Sequence, residues 1–474
     1  MQQHINRITD ILRRDDGISG AMHYTEQISW ILFLKFLDDY ESSQADAADL
    51  DGREYTYIIE SQYRWSEWIA RDNRHFSGDD FKEFINKELF PYFKRFRNVD
   101  GDYHSIKYKI GEIFYFLDNR IESGHTIREV VNIIDGMNFQ KQEDLFELSK
   151  IYEDLLQGMG NDGGNSGEFY TPRAIIKLIV DIVDPKVGDT IYDPASGSCG
   201  FLIEAFHHIR PQITTDKELS FLSHSTFFGN EKTPLAYILG VMNMILHGVH
   251  NPNISKTNTL TTNIRDIQEK DRYDIILANP PFGGKEKEQI QQNFIFPTTA
   301  TEMLFLQHIA KMLKTSGRTG IVVPEGVLFN TSEAFKNIKK EILENYNLHT
   351  IISLPAGVFL PYSGVKTNII FFDRVGVTRD IWYHEINLGR KLTKNKPISY
   401  AEIKEVVELQ KNRSITENSW IVPVGSIKDY DISAKNPNTA NKIVVEAPDS
   451  ILARVGERGN HLEKLYGELL GMIR

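Results

Sequence analysis

The sequence predicts an α/β protein: a doubly wound, mostly parallel sheet with a helical region before it and a helical tail after it. Three observations carry this. From Thr171 to about residue 375, short apolar runs alternate with helical stretches, the rhythm of a parallel sheet covered on both faces. Before about residue 157, apolar residues recur at helical spacing with no strand-turn-strand pattern. The closing "NHLEKLYGELLGMIR" places Leu462, Leu465, Tyr466, Leu469, Leu470 and Ile473 on one stripe, an amphipathic helix with a face to bury.

Taken in order, "MQQHINRITDILRRDDG" sets Ile5, Ile8, Ile11 and Leu12 on one face of a charged helix, which is no signal peptide. "TEQISWILFLKFLDDYES", "DDFKEFINKELFPYFKRF" and "REVVNIIDGM" read as further helices. "GMGNDGGNSG" is too rich in glycine for helix or strand and reads as a hinge or loop. The strands are "TIYDPA", "STFFGNE", "YDIILANPP", "RTGIVVPEG", "HTIISLP" and "NIIFFD", with helices such as "PLAYILGVMNMILHG" and "TEMLFLQHIAKMLK" between them. The predicted organisation is a helical region over 1–157, a linker at 158–167, a catalytic unit over 168–375, an extension over 376–445 and a docking helix within 446–474.

Composition narrows the function. The 474 residues suffice for more than one unit, and 41% hydrophobic with 25% charged residues is a globular balance. No run approaches the roughly 20 apolar residues of a membrane span, so the protein is expected in the cytoplasm and away from membranes. A single cysteine excludes an intrachain disulfide and a cysteine-cluster metal site. The 54 basic against 65 acidic residues give a net charge of −11, the wrong sign for gripping nucleic acid alone. If DNA is the substrate, a partner supplies much of the grip.

The first chemical motif is "IYDPASGSCGFLIEAF". A strand ends at Asp193, Gly197 and Gly200 shape a turn, and a helix follows whose amide N–H groups can approach a ligand. The next strand ends in Glu231, where doubly wound nucleotide sites place the acid that binds a ribose diol. A dinucleotide would fit these two features equally. Upstream, "GEFYTPRAIIKLIVDIV" reads as a helix with Thr171 as N-cap and Pro172 at its first position, so that Phe169 and Tyr170 precede a rigid start. Arg173 there suits a carboxylate or an adenosine edge.

The second motif is "DIILANPPFGG". Its strand delivers Asn279 at the carboxyl end, where open α/β sheets bind ligands. Pro280 and Pro281 fix the backbone and remove two donors, leaving carbonyl acceptors in a stiff arrangement. The Asn279 amide oxygen and the Pro280 carbonyl can each accept an N–H from a planar exocyclic amine, and Phe282 can stack on its ring. The "NPN" tripeptides at Asn251 and Asn436 lack the preceding strand, the second proline and the aromatic, and read as turns.

Together, "EFYTPR", "DPASGSCGFL", "GNE" and "ANPPFG" resemble the motifs of amino-methyltransferases that modify adenine N6 in DNA with S-adenosyl-L-methionine. Their order, the helical N-terminal region and "PYSGVKTNIIFF" near the sheet's end are similar to the modification subunit of Type I restriction-modification systems. The likeness is clear over about residues 1–375 and looser beyond. It implies a seven-stranded methyltransferase sheet, with Glu168, Phe169, Tyr170, Thr171, Pro172, Arg173, Asp193, Gly197, Ser198, Cys199, Gly200 and Glu231 around the cofactor. It puts Asn279, Pro280, Pro281 and Phe282 at a flipped adenine. Ser196 and Cys199 depart from the family's usual small residues, and Asn258 in "TNTL" stands where relatives often carry an acid near the cofactor adenine. Phe359 or Tyr362 could cover the second face of the base or simply anchor their loop.

The resemblance further implies double-stranded DNA as substrate, a separate DNA-specificity subunit, a second copy of the modification subunit and optionally a restriction motor subunit. The terminal helix would dock on the specificity subunit or pack on its own domain. "GRKLTKNKP" reads as a solvated loop ahead of a phosphate contact. Methylation of a protein glutamine or an RNA base, and a silent scaffold, stay open as alternatives.

Overall fold

The computed structural model describes residues 2–69, 78–98, 105–139, 152, 171–249, 252–360, 363–393, 395–438, and 452, 454–456, 458, 459 and 462–466. The N-terminal region is helical: α1 (Gln2–Leu12), α2 (Ala21–Leu50), α3 (Gly78–Phe84), α4 (Phe90–Lys94), α5 (Ile106–Phe116) and α6 (Gly124–Asp135). Ser105 and Ser123 start α5 and α6 by accepting the amide N–H groups of Tyr108 and Thr126 at 3.2 and 3.3 Å. The charge inside "ISWILFLKFL" is neutralised one turn on: Lys35 Nζ lies 2.6 Å from Asp39 Oδ1, and both are buried.

The α/β unit contains α7 (Arg173–Val183), β1 (Ile191–Asp193), α8 (Gly200–Ile209), α9 (Asp216–His224), β2 (Phe227–Glu231), α10 (Pro234–Leu246), β3 (Asn253–Lys256), β4 (Tyr273–Ala278), α11 (Thr301–Met312), β5 (Leu313–Pro324), α12 (Glu333–Asn345), β6 (Asn347–Ser353) and β7 (Thr367–Asp373). It is followed by β8 (Asp380–Glu385), α13 (Glu405–Lys411) and β9 (Ser419–Pro423). The strands form one sheet in the order β3-β2-β1-β4-β5-β7-β6-β8-β9. β3, β2, β1, β4 and β5 are parallel, β7 is antiparallel to both neighbours, β8 is parallel to β6, and β9 is antiparallel to β8.

The seven-strand order is thus present, but the sheet is wider than expected. β8 and β9 come from the region read as a loose extension, where "DIWYHE" and "SWIVP" pair at the far edge. Tyr383 Oη of β8 donates to the Ile432 carbonyl beyond β9 at 2.9 Å, and Ile432 N–H in turn donates to the Leu328 carbonyl of the body at 3.2 Å.

Alternation along the strands feeds two cores. Ile275 and Leu277 of β4, with Ile369 and Phe371 of β7, face α7, α8, α10 and the N-terminal helices. Ile276, Ala278, Ile370 and Phe372 face α11 and α12. α10 is buried from Tyr237 through Leu246 because it lies between the sheet and the N-terminal helices α2 and α5. Lys109 of α5 reaches across this seam, its Nζ donating to the Ile254 carbonyl of β3 at 2.9 Å. The N-terminal helices are therefore built onto the sheet. Of the terminal stripe, the described Leu462, Leu465 and Tyr466 are 67%, 43% and 66% exposed, so in this chain that face is not packed away.

Candidate active site at the carboxyl edge of the sheet

The strand order reverses at β1, with β2 and β3 on one side and β4 and β5 on the other, which opens a crevice beyond the carboxyl ends of these parallel strands. Asp193 closes β1. It is 1% exposed, and burial pushes its carboxyl up to about 8, opposed by the Ala195 amide and reinforced by nearby Glu231. The following turn is tied to β2 by Ser196 N–H donating to the Asn230 carbonyl at 3.0 Å. Gly197 has φ +49°, and a Cβ there would meet no atom within 4 Å: the turn presents bare backbone to open space.

Glu231, at the end of β2, holds this turn from the front. Its Oε2 accepts the Gly197 N–H at 2.9 Å and its Oε1 the Thr233 N–H at 2.7 Å. Each oxygen keeps a second acceptor site, so two remain for a diol. From behind, Asn243 Nδ2 donates to the Ser198 carbonyl at 2.9 Å. Gly240 lets α10 come so close that an added Cβ would lie 2.5 Å from the Gly197 oxygen and 2.9 Å from Cys199 Sγ. Cys199 takes the left-handed conformation (φ 63°) at the N-cap of α8, and its thiol is fully buried and held well above its usual pKa by that burial. It fills space behind the turn. An open glycine cradle backed by rigid packing, with a carboxylate beside it, fits a nucleoside-bearing cofactor.

Across the crevice, β4 delivers Asn279. Its Nδ2 donates to Thr171 Oγ1 at 2.9 Å, while its Oδ1 is buried with no hydrogen-bond partner among the described residues. An acceptor in that state costs about 1–3 kcal/mol, which a ligand N–H would recover. Pro280 is buried, and Gly283 at φ +68° turns the chain so that Phe282 stands half-buried at the crevice. The buried ring of Phe359 meets Phe282 edge-on, with centroids 6.1 Å apart at 90°. By contrast, Asn436 in its "NPN" turn is tied down, Nδ2 donating to the Glu417 carbonyl at 3.0 Å and Oδ1 accepting from Asn438 N–H at 2.9 Å.

Comparison with known proteins shows the family. Residues 141–446 match the family model described as N-6 DNA Methylase, and residues 1–134 match the HsdM N-terminal domain. The chain belongs to the N-6 DNA methylase family. It is 34% identical to the Type I restriction enzyme EcoEI methylase subunit of Escherichia coli, over 98% of this chain and 97% of that one. It superposes with a TM-score of 0.85 and 38% identity on a modification subunit assigned to a type I restriction enzyme of Vibrio vulnificus YJ016, covering 94% of this chain and 99% of that one. A chain from a study of complex assembly and conformational transition in a type I R-M system gives 0.81 and 39%, covering 99% and 97%. The chain is accordingly a Type I modification subunit and an adenine-specific DNA methyltransferase; glutamine, RNA and silent-scaffold readings are not favoured.

In this methylase subunit several expected residues take unforeseen positions. Pro172, not Thr171, is the N-cap of α7, its carbonyl accepting from Ile175 and Ile176 at 2.9 and 3.1 Å. The Thr171 hydroxyl is committed to Asn279 instead. Arg173 is turned toward Glu204 of α8 at 3.5 Å, and burial lowers its pKa. Asn258 follows Thr257, whose N–H bonds the Glu231 carbonyl at 2.9 Å, and its own Oδ1 caps Leu260 N–H at 3.2 Å. Glu168, Phe169, Tyr170, Asn251, Tyr362 and the 158–167 linker lie outside the described residues. The residues missed in sequence, Asn243 and Gly240, act on the turn from within α10; a glycine and an asparagine in an otherwise apolar helix are the signal that could have marked them.

Among the described residues no helix is long and apolar enough to cross a membrane, and no group of three or more His, Cys, Asp or Glu side chains could hold a metal ion.

Proposed function

We propose that the chain transfers a methyl group to the exocyclic N6 amine of a flipped adenine in double-stranded DNA, with S-adenosyl-L-methionine as donor. The observation that carries this is the buried, unpartnered Oδ1 of Asn279 at the carboxyl end of β4. A planar amine has two N–H groups; Oδ1 takes one and the Pro280 carbonyl the other, which draws the nitrogen lone pair out of conjugation. Extruding the base from the duplex costs a few kcal/mol, part of which stacking on Phe282 offsets. Phe359 buttresses that ring from the side. S-Adenosyl-L-methionine, when bound, supplies an electrophilic methyl group. Asp193, the turn from Gly197 to Gly200, and Glu231 would hold it, with Glu231 on the ribose hydroxyls and Asn258 near the adenine edge. The rest is alignment and exclusion of water.

The net charge of −11 argues against a chain that grips DNA alone, and the likeness to Type I methylase subunits implies a complex in which a specificity subunit chooses and grips the DNA, with two modification subunits and optionally a restriction subunit. The exposed Leu462, Leu465 and Tyr466 are the proposed docking stripe for the specificity subunit. A cytoplasmic setting follows from that assembly. The test is Asn279→Ala in the co-expressed complex. Methyl transfer should vanish while cofactor affinity, by calorimetry, stays within about threefold because the amide holds the base; loss of cofactor binding would remove Asn279 from the base site.

A further inference from the structure

We propose that Thr171 is a positioning residue for methyl transfer, its hydroxyl holding the Asn279 amide so that Oδ1 faces the adenine amine. This rests on the proposed adenine methylation and adds to it a cause for the amide's orientation. An asparagine amide can turn end for end at little cost unless its surroundings distinguish the oxygen from the NH2. Only one orientation can serve: Oδ1 must accept from the amine, whereas a flipped NH2 would set donor against donor.

Among the described residues, one contact distinguishes the two ends. Nδ2 donates to Thr171 Oγ1 at 2.9 Å, and this bond joins the residue immediately before the α7 cap to the residue immediately after β4, 108 positions later. The opposite end of the amide has no partner among the described residues. Once the amine is present, every hydrogen-bonding group of the amide facing the crevice or Thr171 has a complement. The bond also polarises the amide and strengthens Oδ1 as an acceptor. Two features show that the hydroxyl is set aside for this contact. Thr171 precedes the helix start yet does not cap it, the role its side chain would ordinarily take, and the cap position is left to Pro172, which has no side-chain acceptor. α7 is in turn anchored at its far end, where Arg318 Nε and Nη2 donate to the carbonyls of Val183 and Asp184 at 2.6 and 2.8 Å, so the hydroxyl stands on a fixed element.

Removing the acceptor while keeping the shape, as in Thr171→Val, leaves Nδ2 buried and unpaired, and the amide gains by turning its NH2 toward the crevice. In the co-expressed complex, the single-turnover rate of methyl transfer to DNA should then fall at least about tenfold, the equivalent of one unpaired buried amide. Cofactor affinity should change less than about threefold, and Thr171→Ser should recover most of the rate. Should Thr171→Val fail to fold, Thr171→Ala is read in the same way. A second measurement needs no activity: Thr171→Val and Asn279→Ala should shift the unfolding midpoint non-additively, Thr171→Val having little further effect once Asn279 is alanine. An unchanged rate, a loss of cofactor binding parallel to the loss of rate, no recovery in Thr171→Ser, or additive midpoints would each overturn the proposal. If the unsubstituted complex transfers no methyl group, the adenine reading fails, and the midpoints still decide whether the pair is coupled.

Discussion

Glu231 joins the fold to the cofactor reading, and substituting it gives a prediction with a magnitude. In the structure its carboxylate accepts two backbone amides, Gly197 at 2.9 Å and Thr233 at 2.7 Å, and has two acceptor sites left. Hydrogen bonds to a charged group contribute about 1.5–3 kcal/mol each. Because Glu231 is half-buried, water replaces part of what Glu231→Ala removes from the two amides, so a stability loss of about 1–3 kcal/mol is expected. Two lost ribose bonds, discounted in the same way for water at this half-buried carboxylate to about 1.4–2.8 kcal/mol in total, should weaken S-adenosyl-L-methionine by about 10- to 100-fold at about 1.4 kcal/mol per tenfold. Glu231→Gln separates the effects. One end of its amide is a donor and must face an amide N–H, so it should fall between wild type and alanine in both readings. Calorimetric titration with the cofactor and a thermal melt of the free protein measure the two effects independently. An unchanged dissociation constant in Glu231→Ala would take the residue out of the cofactor site, and an unchanged melt would mean that the two amide contacts do not hold the turn.

Two further predictions concern the turn that Glu231 braces. Gly240→Ala places a Cβ 2.5 Å from the Gly197 oxygen, against backbone that cannot yield cheaply; it should cost about 1–3 kcal/mol of stability and weaken cofactor binding, whereas Gly425→Ala, with nothing within 4 Å of its Cβ, should leave both as they are. Asp193 should make stability pH-dependent: its folded pKa of about 8 lies above the 3.8 of an unburied carboxyl, so the folded chain keeps a proton that the unfolded chain releases, and stability falls as pH rises from about 4 to 8. Asp193→Asn abolishes that change, so its melting temperature relative to wild type should rise between pH 5 and pH 9; a difference that does not vary with pH would refute the buried, proton-retaining carboxyl.

What could be read in advance depended on how far each signal reached along the chain. The strands through Asp193, Glu231 and Asn279 announce themselves because central parallel strands are continuous apolar runs that end at ligand-binding residues. β3 escaped notice because "NISK" is a four-residue edge strand with one buried side chain, Ile254. β8 and β9 were hidden for a related reason: they are short and lie in a polar stretch, and only their pairing with β6 and each other makes them strands. The motif residues of the Gly197–Gly200 turn were visible in sequence, but the bracing from Asn243 and Gly240 belongs to a later helix, Asn243 lying 45 positions beyond the Ser198 it holds. Thr171 was misread as a cap because local spacing favours that role, and the partner that claims its hydroxyl lies at Asn279. A tertiary hydrogen bond overrode a local preference there, at the site where the chemistry is proposed to occur.

The most direct test of the account is methyl transfer from radiolabelled S-adenosyl-L-methionine to adenine-containing duplex DNA, with and without a co-expressed specificity subunit. Label should appear as N6-methyladenine in the presence of the specificity subunit and be absent without it. Label on a base other than adenine, or no label from a complex that binds the cofactor, would contradict the account; label without the specificity subunit would leave the chemistry standing and refute the division of labour between the subunits.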